Sequence, residues 1–376
     1  MREEAVEAQL EYDRAPYAGA NPNSLHTAGR SAARALDGAR REIARMLGGG
    51  FRASDVAFTS GGTENNNLAL LGLAEGARAK DRSRTRVIVS AIEHDSIIEP
   101  MSLLRERGFV VEKVAPTREG VITRQALEAM LGADVALVSV MAANNEVGTL
   151  QPIRELGIAS HSCGAVFYVD AAQGFGKVRL DVSACDAVGL VGHKIGAPVG
   201  TGALVMRGRT PFRPQSLGGG QERGIRPGTQ DVRGALSFVA AARACMAHME
   251  ESARVVAEQA NFLVSRVCTS GSGIHPTVET PMGEGRLPGL VSLLVDGADS
   301  ESLVLKLDAL GFEVSAASAC ASGSLDASHV LTAMGIPKDR ALGSLRVSFD
   351  ERVPREDLEL FGDALLEVAQ QIRARG

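Results

Sequence analysis

Val188-Gly189-Leu190-Val191-Gly192-His193-Lys194-Ile195-Gly196-Ala197-Pro198-Val199-Gly200, followed closely by Ala203-Leu204-Val205-Met206, is the stretch on which the fold turns. Its apolar start reads as a buried strand that runs into one lysine. A turn-rich segment and a second short buried strand come next. A lysine held at a strand end among small residues can be desolvated, which frees its amine for Schiff-base chemistry. In an ordinary loop the same lysine is a solvated surface cation. The flanking segments decide between the two.

Upstream, Ala28–Leu47 carries apolar residues at helical spacing (Ala32, Leu36, Ile43, Leu47) and stops at Gly48-Gly49-Gly50. Strands are predicted at Val56–Thr59, Val87–Ser90, Val110–Val114, Val135–Val140 and Val166–Val169, with helical segments between them. Such β-branched runs predict an α/β fold whose mostly parallel sheet is covered on both faces. Just past the carboxyl ends of these strands stand His94, Asn145, Asp170, Gln173 and Lys194. Open α/β sheets bind their ligands there. Ser60-Gly61-Gly62-Thr63-Glu64-Asn65-Asn66-Asn67 joins a strand to a helix predicted from Leu68. It reads as an anion cup of backbone N–H groups with the Thr63 hydroxyl, or as a glycine turn capped by Thr63. Neither GxxxxGK[ST] nor GxGxxG occurs here, which disfavours a nucleotide-binding protein.

Downstream, Pro211–Thr229 is a glycine- and arginine-rich loop, and one long helix is predicted over Val232–Arg266. After an irregular Cys268–Gly289, strands are expected at Leu290–Val295, Phe312–Ser315 and Leu345–Phe349, with helices at Ser300–Leu310 and Arg355–Arg373. This second half lacks the parallel pattern. The expected division is a large domain over 13–235 and a smaller α+β domain over 236–376, joined by residues 1–12.

The 376 residues are 45% apolar and 23% charged with a net charge of -5, an ordinary globular composition without a basic stripe for nucleic acid. No apolar run approaches the ~18 residues of a membrane span. Met1-Arg2-Glu3-Glu4 is too acidic for a signal or transit peptide, so a cytoplasmic location is expected. The five cysteines (Cys163, Cys185, Cys245, Cys268, Cys320) form no CxxC pair, which predicts reduced thiols and no metal site.

A lysine, an aspartate and an anion cup are what pyridoxal 5'-phosphate requires, because a carboxylate keeps its ring nitrogen protonated and the ring able to accept electrons. At this point the chain resembles the cysteine desulfurases, class V aminotransferases of the fold-type-I pyridoxal-phosphate enzymes, with a seven-stranded large-domain sheet. The resemblance rests on Thr59–Glu64, Asn144-Asn145-Glu146-Val147-Gly148, Val169–Gln173, Gly192-His193-Lys194, Gly218–Arg226 with Gly228-Thr229, and Ser318-Ala319-Cys320. It implies that Lys194 bonds the cofactor and shuttles the α-proton, that Asp170 pairs with the ring nitrogen, and that Gln173 and Asn145 bond near the phenolic oxygen. His94 would stack on the ring and act in proton transfer. Gly62, Thr63 and His193 would bind the phosphate, Thr229 would reach the phosphate of a neighbouring subunit in a homodimer with shared sites, and Arg346 would clamp the carboxylate of L-cysteine.

Cys320 would take the sulfur as a persulfide, release L-alanine and pass the sulfur to a protein acceptor. That acceptor could be an iron–sulfur scaffold or a tRNA- or DNA-thiolation enzyme. The Ser-Ala-Cys-Ala-Ser context resembles the long-loop subgroup. Related class V activities (cysteine or selenocysteine lyase, epimerase, aminotransferase) and a non-catalytic sulfur-relay partner remain alternatives.

Three departures from the family pattern are visible. An opening strand motif is missing before Met1, which suggests an incomplete chain. Val191 stands where a serine is common, and Leu287-Pro288-Gly289 replaces Leu-Pro-Asn. Loss of the serine would remove one phosphate contact, worth about 1–2 kcal/mol.

Overall fold

A computed structural model describes residues 1–316 and 327–374. The β-branched runs form strands because their stiff side chains pack on a pleated surface that is buried on both faces. The first compact unit comprises residues 1–114, 123–142 and 152–248. Its elements are α1 (Glu3–Arg14), α2 (Thr27–Leu47), β1 (Val56–Thr59), α3 (Gly62–Lys80), β2 (Arg86–Ser90), α4 (Asp95–Ile98), α5 (Met101–Glu106) and β3 (Val110–Val114). They continue with α6 (Arg124–Glu128), β4 (Val135–Ser139), α7 (Ile153–Ser162), β5 (Val166–Asp170), β6 (Ala187–Val191), β7 (Gly202–Met206) and α8 (Val232–Ala247).

The seven strands run in the order β1-β7-β6-β5-β4-β2-β3. Strands β3, β2, β4, β5 and β6 pair in parallel, whereas β7 lies antiparallel between β6 and β1. Helix α3 is buried along most of its length; Leu68, Leu70, Leu71 and Leu73 pack with Val87, Val89, Leu137 and Tyr168 of the sheet. Helix α3 also begins at Gly62, six residues before the predicted Leu68, because its polar opening turn is folded into the site rather than left as a loop.

Gly202 is where β7 passes the turn that opens α3. A Cβ built there would lie 2.7 Å from the Gly61 Cα and 2.8 Å from the Leu190 carbonyl oxygen, both backbone atoms that cannot swing aside. Gly202→Ala is therefore expected to destabilise the protein by about 1–3 kcal/mol through overpacking. The urea midpoint should fall with the slope unchanged; an unaltered midpoint would show that the strand and turn can separate.

The second unit comprises residues 115–122, 143–151 and 249–376, of which 317–326 and 375–376 are not described. It contains α9 (Met249–Val267), β8 (Ile274–Pro276), β9 (Leu290–Val295), α10 (Ser300–Asp308), α11 (His329–Ala333), α12 (Lys338–Ala341), β10 (Ser344–Ser348) and α13 (Arg355–Arg373). A three-stranded antiparallel sheet, β10-β9-β8, packs with Leu263, Leu303, Leu307, Phe361 and Leu365 in a core of its own.

Three expectations change. The single helix over Val232–Arg266 is two helices, broken at the non-helical His248. Each half buries its stripe in a different core: Phe238 and Ala242 in the first unit, Ala260 and Leu263 in the second. Phe312–Ser315 is not a strand; among the described residues it forms one bridge, Ser315 to Arg346. The units also differ from the division expected at 235/236. Residues 1–12 and α8 lie in the first unit, where Ser237 Oγ donates to the Ala5 carbonyl at 2.8 Å and Arg233 pairs with Asp13 at 2.8 Å.

Candidate active site

The turn before α3 is built for close approach. Gly61 has φ 140°, in the region that glycine alone adopts freely, so the chain reverses from β1 directly into the helix. Buried Asn65 fastens this first turn: it accepts from Thr59 Oγ1 at 2.6 Å and donates to the Leu190 carbonyl at 2.8 Å. Glu64 accepts from the Ser60 N–H and pairs with Arg226 at 3.0 Å. Burial pushes the Glu64 carboxyl up, but the Ser60 and Arg226 hydrogen bonds outweigh it and hold the group below its usual range. Among the described hydrogen bonds none uses the N–H of Gly62 or Thr63. With the positive end of a 19-residue helix behind them, these two groups can receive a phosphate. Val191 Cγ2 lies 3.0 Å from where a Gly62 Cβ would stand, so the residue in place of the family serine contributes bulk and no donor.

Asp170 closes β5. It is 6% exposed, accepts from the Ala172 N–H at 2.9 Å and from Asn66 Nδ2 at 2.7 Å, and no lysine or arginine among the described residues pairs with it. Asn66 is the hub of this region. Its Nδ2 also donates to Ser96 Oγ at 2.7 Å, and its Oδ1 accepts from the fully buried Tyr168 hydroxyl at 2.6 Å. Gly189 on the neighbouring strand makes room for that hydroxyl, since a Cβ there would sit 2.3 Å from it. His94, expected as a ring-stacking residue, is the N-cap of α4, and its Nδ1 meets Ser96 Oγ at 2.9 Å and the Ser96 N–H at 3.1 Å. The sequence reading missed Asn66, Ser96, Tyr168 and the adjacent Glu93. The run Asn65-Asn66-Asn67 heading an apolar helix was the available signal, because buried amides at a helix start must be spoken for.

Glu93 is fully buried, accepting from the Met141 N–H at 2.7 Å. Burial, and then the nearby Asp170, push its carboxyl well above the ordinary range; burial likewise raises Asp170 against the pull of Asn66 and the Ala172 N–H. A carboxylate whose folded pKa is raised binds more protons folded than unfolded, so stability falls as pH climbs from the unfolded value of about 4 through the folded one. Glu93→Gln should remove part of this slope and raise the melting temperature of the cofactor-free protein at pH 8 relative to pH 5. An identical slope in wild type and variant would show that Glu93 is ordinary.

Lys194 lies in a 3-10 turn, His193–Ile195, directly after β6. Gly192 allows this turn to close on Thr201, whose Oγ1 would lie 2.1 Å from an added Cβ. Lys194 and His193 are exposed in this turn. Partial burial, followed by the Lys194 and Lys177 charges, keeps the His193 imidazole below its usual range. Gln173 Oε1 accepts from Lys177 Nζ at 2.8 Å, which turns the amide so that Nε2 remains to donate. Thr229 is exposed at the end of the 211–229 loop. That loop is anchored by Glu222, buried against Arg40 at 2.6 Å, and by the left-handed pair Glu222 (φ 47°) and Arg223 (φ 57°).

In the second unit, Arg346 on β10 donates from Nη1 to the Asn145 carbonyl at 3.0 Å. The Asn145 Oδ1 is buried without a hydrogen-bond partner among the described residues. The loop that carries it is fixed by buried Arg286, which donates to the Val147 carbonyl at 2.8 Å and the Thr280 carbonyl at 3.0 Å. Burial pulls the Arg286 guanidinium down to about 10. Cys320, the expected nucleophile, lies outside the described residues. The four described cysteines form no disulfide with one another; burial raises Cys185 strongly and Cys268 to about 11, so neither offers a ready thiolate. No group of described residues could hold a metal ion, and none of the described helices is long and apolar enough to cross a membrane.

Residues 2–361 match the model of the aminotransferase class-V family. The chain belongs to that family. Within it, the chain is 38% identical over 367 residues to an IscS-like cysteine desulfurase of Mycobacterium tuberculosis, covering 94% of this chain and 90% of that protein. It is 33% identical over 375 residues to the cysteine desulfurase IscS of Dictyoglomus turgidum, covering 99% and 93%. Among solved structures, a NifS-like protein superimposes with a TM-score of 0.88 at 30% identity, covering 99% of this chain and 96% of that one. SspA in complex with cysteine superimposes with a TM-score of 0.78 at 28% identity, covering 93% and 95%. The family and the fold type expected from the motifs are thus those of the cysteine desulfurases.

Proposed function

We propose that this cysteine desulfurase takes sulfur from L-cysteine with pyridoxal 5'-phosphate as its cofactor, leaving the sulfur on Cys320 and releasing L-alanine. The observation that carries the reading is Asp170: a buried carboxylate at a parallel strand end, oriented by two donors and without a cationic partner of its own. A protonated ring nitrogen satisfies such a group. The N–H groups of Gly62 and Thr63, the hydroxyl of Thr63 and the His193 ring suit the phosphate, and the amides of Gln173 and Asn145 suit the phenolic oxygen. The residues present therefore fit the cofactor. When bound, it supplies a carbonyl that condenses with amines and a ring that withdraws electrons from the carbon next to nitrogen.

Lys194 is the amine that holds the cofactor and, once displaced by substrate, the base that carries the α-proton. Arg346 grips the substrate carboxylate with its planar fork of donors, a task for which lysine is a poor replacement. His94 covers the ring and exchanges protons near the reacting atoms. The Cys320 thiolate attacks the substrate sulfur. A sulfur–sulfur bond forms, the carbon–sulfur bond breaks with its electron pair left on carbon, and a proton completes the methyl group of alanine. Thr229 serves the phosphate of a second subunit, so the working form is a homodimer, and the persulfide goes on to a protein acceptor.

Borohydride reduction of the cofactor-loaded protein tests the reading. A stable pyridoxyl-phosphate mass adduct is expected on the peptide containing Lys194. An adduct confined to other lysines, or no cofactor uptake at all, would refute it and leave a non-catalytic sulfur-relay partner as the better account.

A further inference from the structure

The Asn66 hub leads to a second inference about His94. Asp170 has only acceptor atoms when ionised, so the Asn66 group that faces it at 2.7 Å is Nδ2, and the orientation of the amide is set. The other Nδ2 proton goes to Ser96 Oγ at 2.7 Å, and the Tyr168 hydroxyl fills Oδ1 at 2.6 Å. Ser96 Oγ, already accepting from Asn66, has one proton to give, and His94 Nδ1 stands 2.9 Å away. The Ser96 backbone N–H reaches the same nitrogen at 3.1 Å. Two donors converge on Nδ1, which leaves no room for a proton of its own.

We propose that Asn66 and Ser96 are positioning residues that form a polar relay from Asp170 to His94, fixing the neutral imidazole in its Nε2–H tautomer. Asn66 and Ser96 are 1% and 8% exposed, so water does not compete for these bonds. The relay has a direction that each member imposes on the next: carboxylate, amide N–H, hydroxyl, imidazole lone pair. One buried amide thereby sets both the orientation of the carboxylate for a ring nitrogen and the nitrogen through which His94 exchanges protons. The His94 pattern follows from geometry alone; its consequence for turnover rests on the desulfurase reading.

The test uses the cofactor-loaded protein labelled with 15N-histidine, with the His94 signals identified by their loss in His94→Gln. Two-bond proton–nitrogen correlations in the wild type are expected to show Nδ1 as an unprotonated acceptor and Nε2 as protonated. Ser96→Ala, which removes the hydroxyl, should yield a mixture of tautomers. It should also lower kcat roughly tenfold with KM changed less than twofold, and alter the pH profile of kcat. Ser96→Thr, which keeps the hydroxyl, should restore both. Asn66→Asp, which cannot donate to Ser96, should reproduce the Ser96→Ala spectrum. A wild-type His94 protonated on Nδ1, or a Ser96→Ala protein with the wild-type pattern, overturns the inference. A wild type that forms no alanine overturns the desulfurase reading instead, and the tautomer measurement still decides the relay.

Discussion

Lys194→Ala is expected to abolish turnover while leaving the protein folded. The side chain is exposed in a turn whose backbone is held by Gly192 and Thr201, so its removal opens no buried cavity among the described residues. Stability should therefore change by no more than about 0.5 kcal/mol, as for other exposed positions. Activity should fall by roughly 10²–10⁴-fold, the usual value of a positioned proton-transfer group, with the loss of cofactor attachment in addition. The cofactor should still bind through its phosphate and ring, but borohydride should no longer fix it to the chain. Alanine release measured over hours decides the matter. Activity within tenfold of wild type would mean that another amine does this chemistry.

Cys320→Ser should separate cofactor chemistry from sulfur transfer. A serine hydroxyl is barely ionised at neutral pH and is a poor nucleophile toward sulfur, whereas a thiol is partly ionised there and reacts readily. Loss of alanine formation by roughly 10³-fold or more is expected, as when other covalent nucleophiles are removed. The cofactor absorbance and its response to added L-cysteine should be unchanged, since Lys194, Asp170 and Arg346 are intact. Retained sulfur release would point to a lyase of the same family, in which sulfur leaves without a protein nucleophile.

Much of the fold was legible because buried strands are written as β-branched or apolar runs, and all seven strands of the large sheet were visible in one of those forms. The reversed direction of β7 was not read, although the short connection from Val191 to Gly202 leaves no length for a parallel crossover. The break at His248 was not legible at all: no glycine or proline marks it, and it arises because α8 and α9 bury their faces in different cores. Phe312–Ser315 has the composition of a strand but forms a single bridge among the described residues.

The site shows the same contrast. Lys194, Asp170 and His94 stand at strand ends or in the turns that follow them, where the chain pattern announces them. Asn66, Ser96 and Tyr168 come from α3, α4 and β5, and only the folded sheet brings them together. Spacing along the chain carries no trace of a contact between residues 66 and 170. The buried amide that orders the site is thus a product of tertiary structure, and Gly189 marks the space needed by the Tyr168 hydroxyl that it binds.

The most direct test of the central claim is the mass of the intact protein after brief reaction with L-cysteine in the absence of reductant and acceptor. A gain of one sulfur atom, mapped to the peptide containing Cys320 and matched one-to-one by alanine, is the predicted result. Alanine released without a sulfur adduct, or an adduct carried by Cys163, Cys185, Cys245 or Cys268 instead, would contradict it.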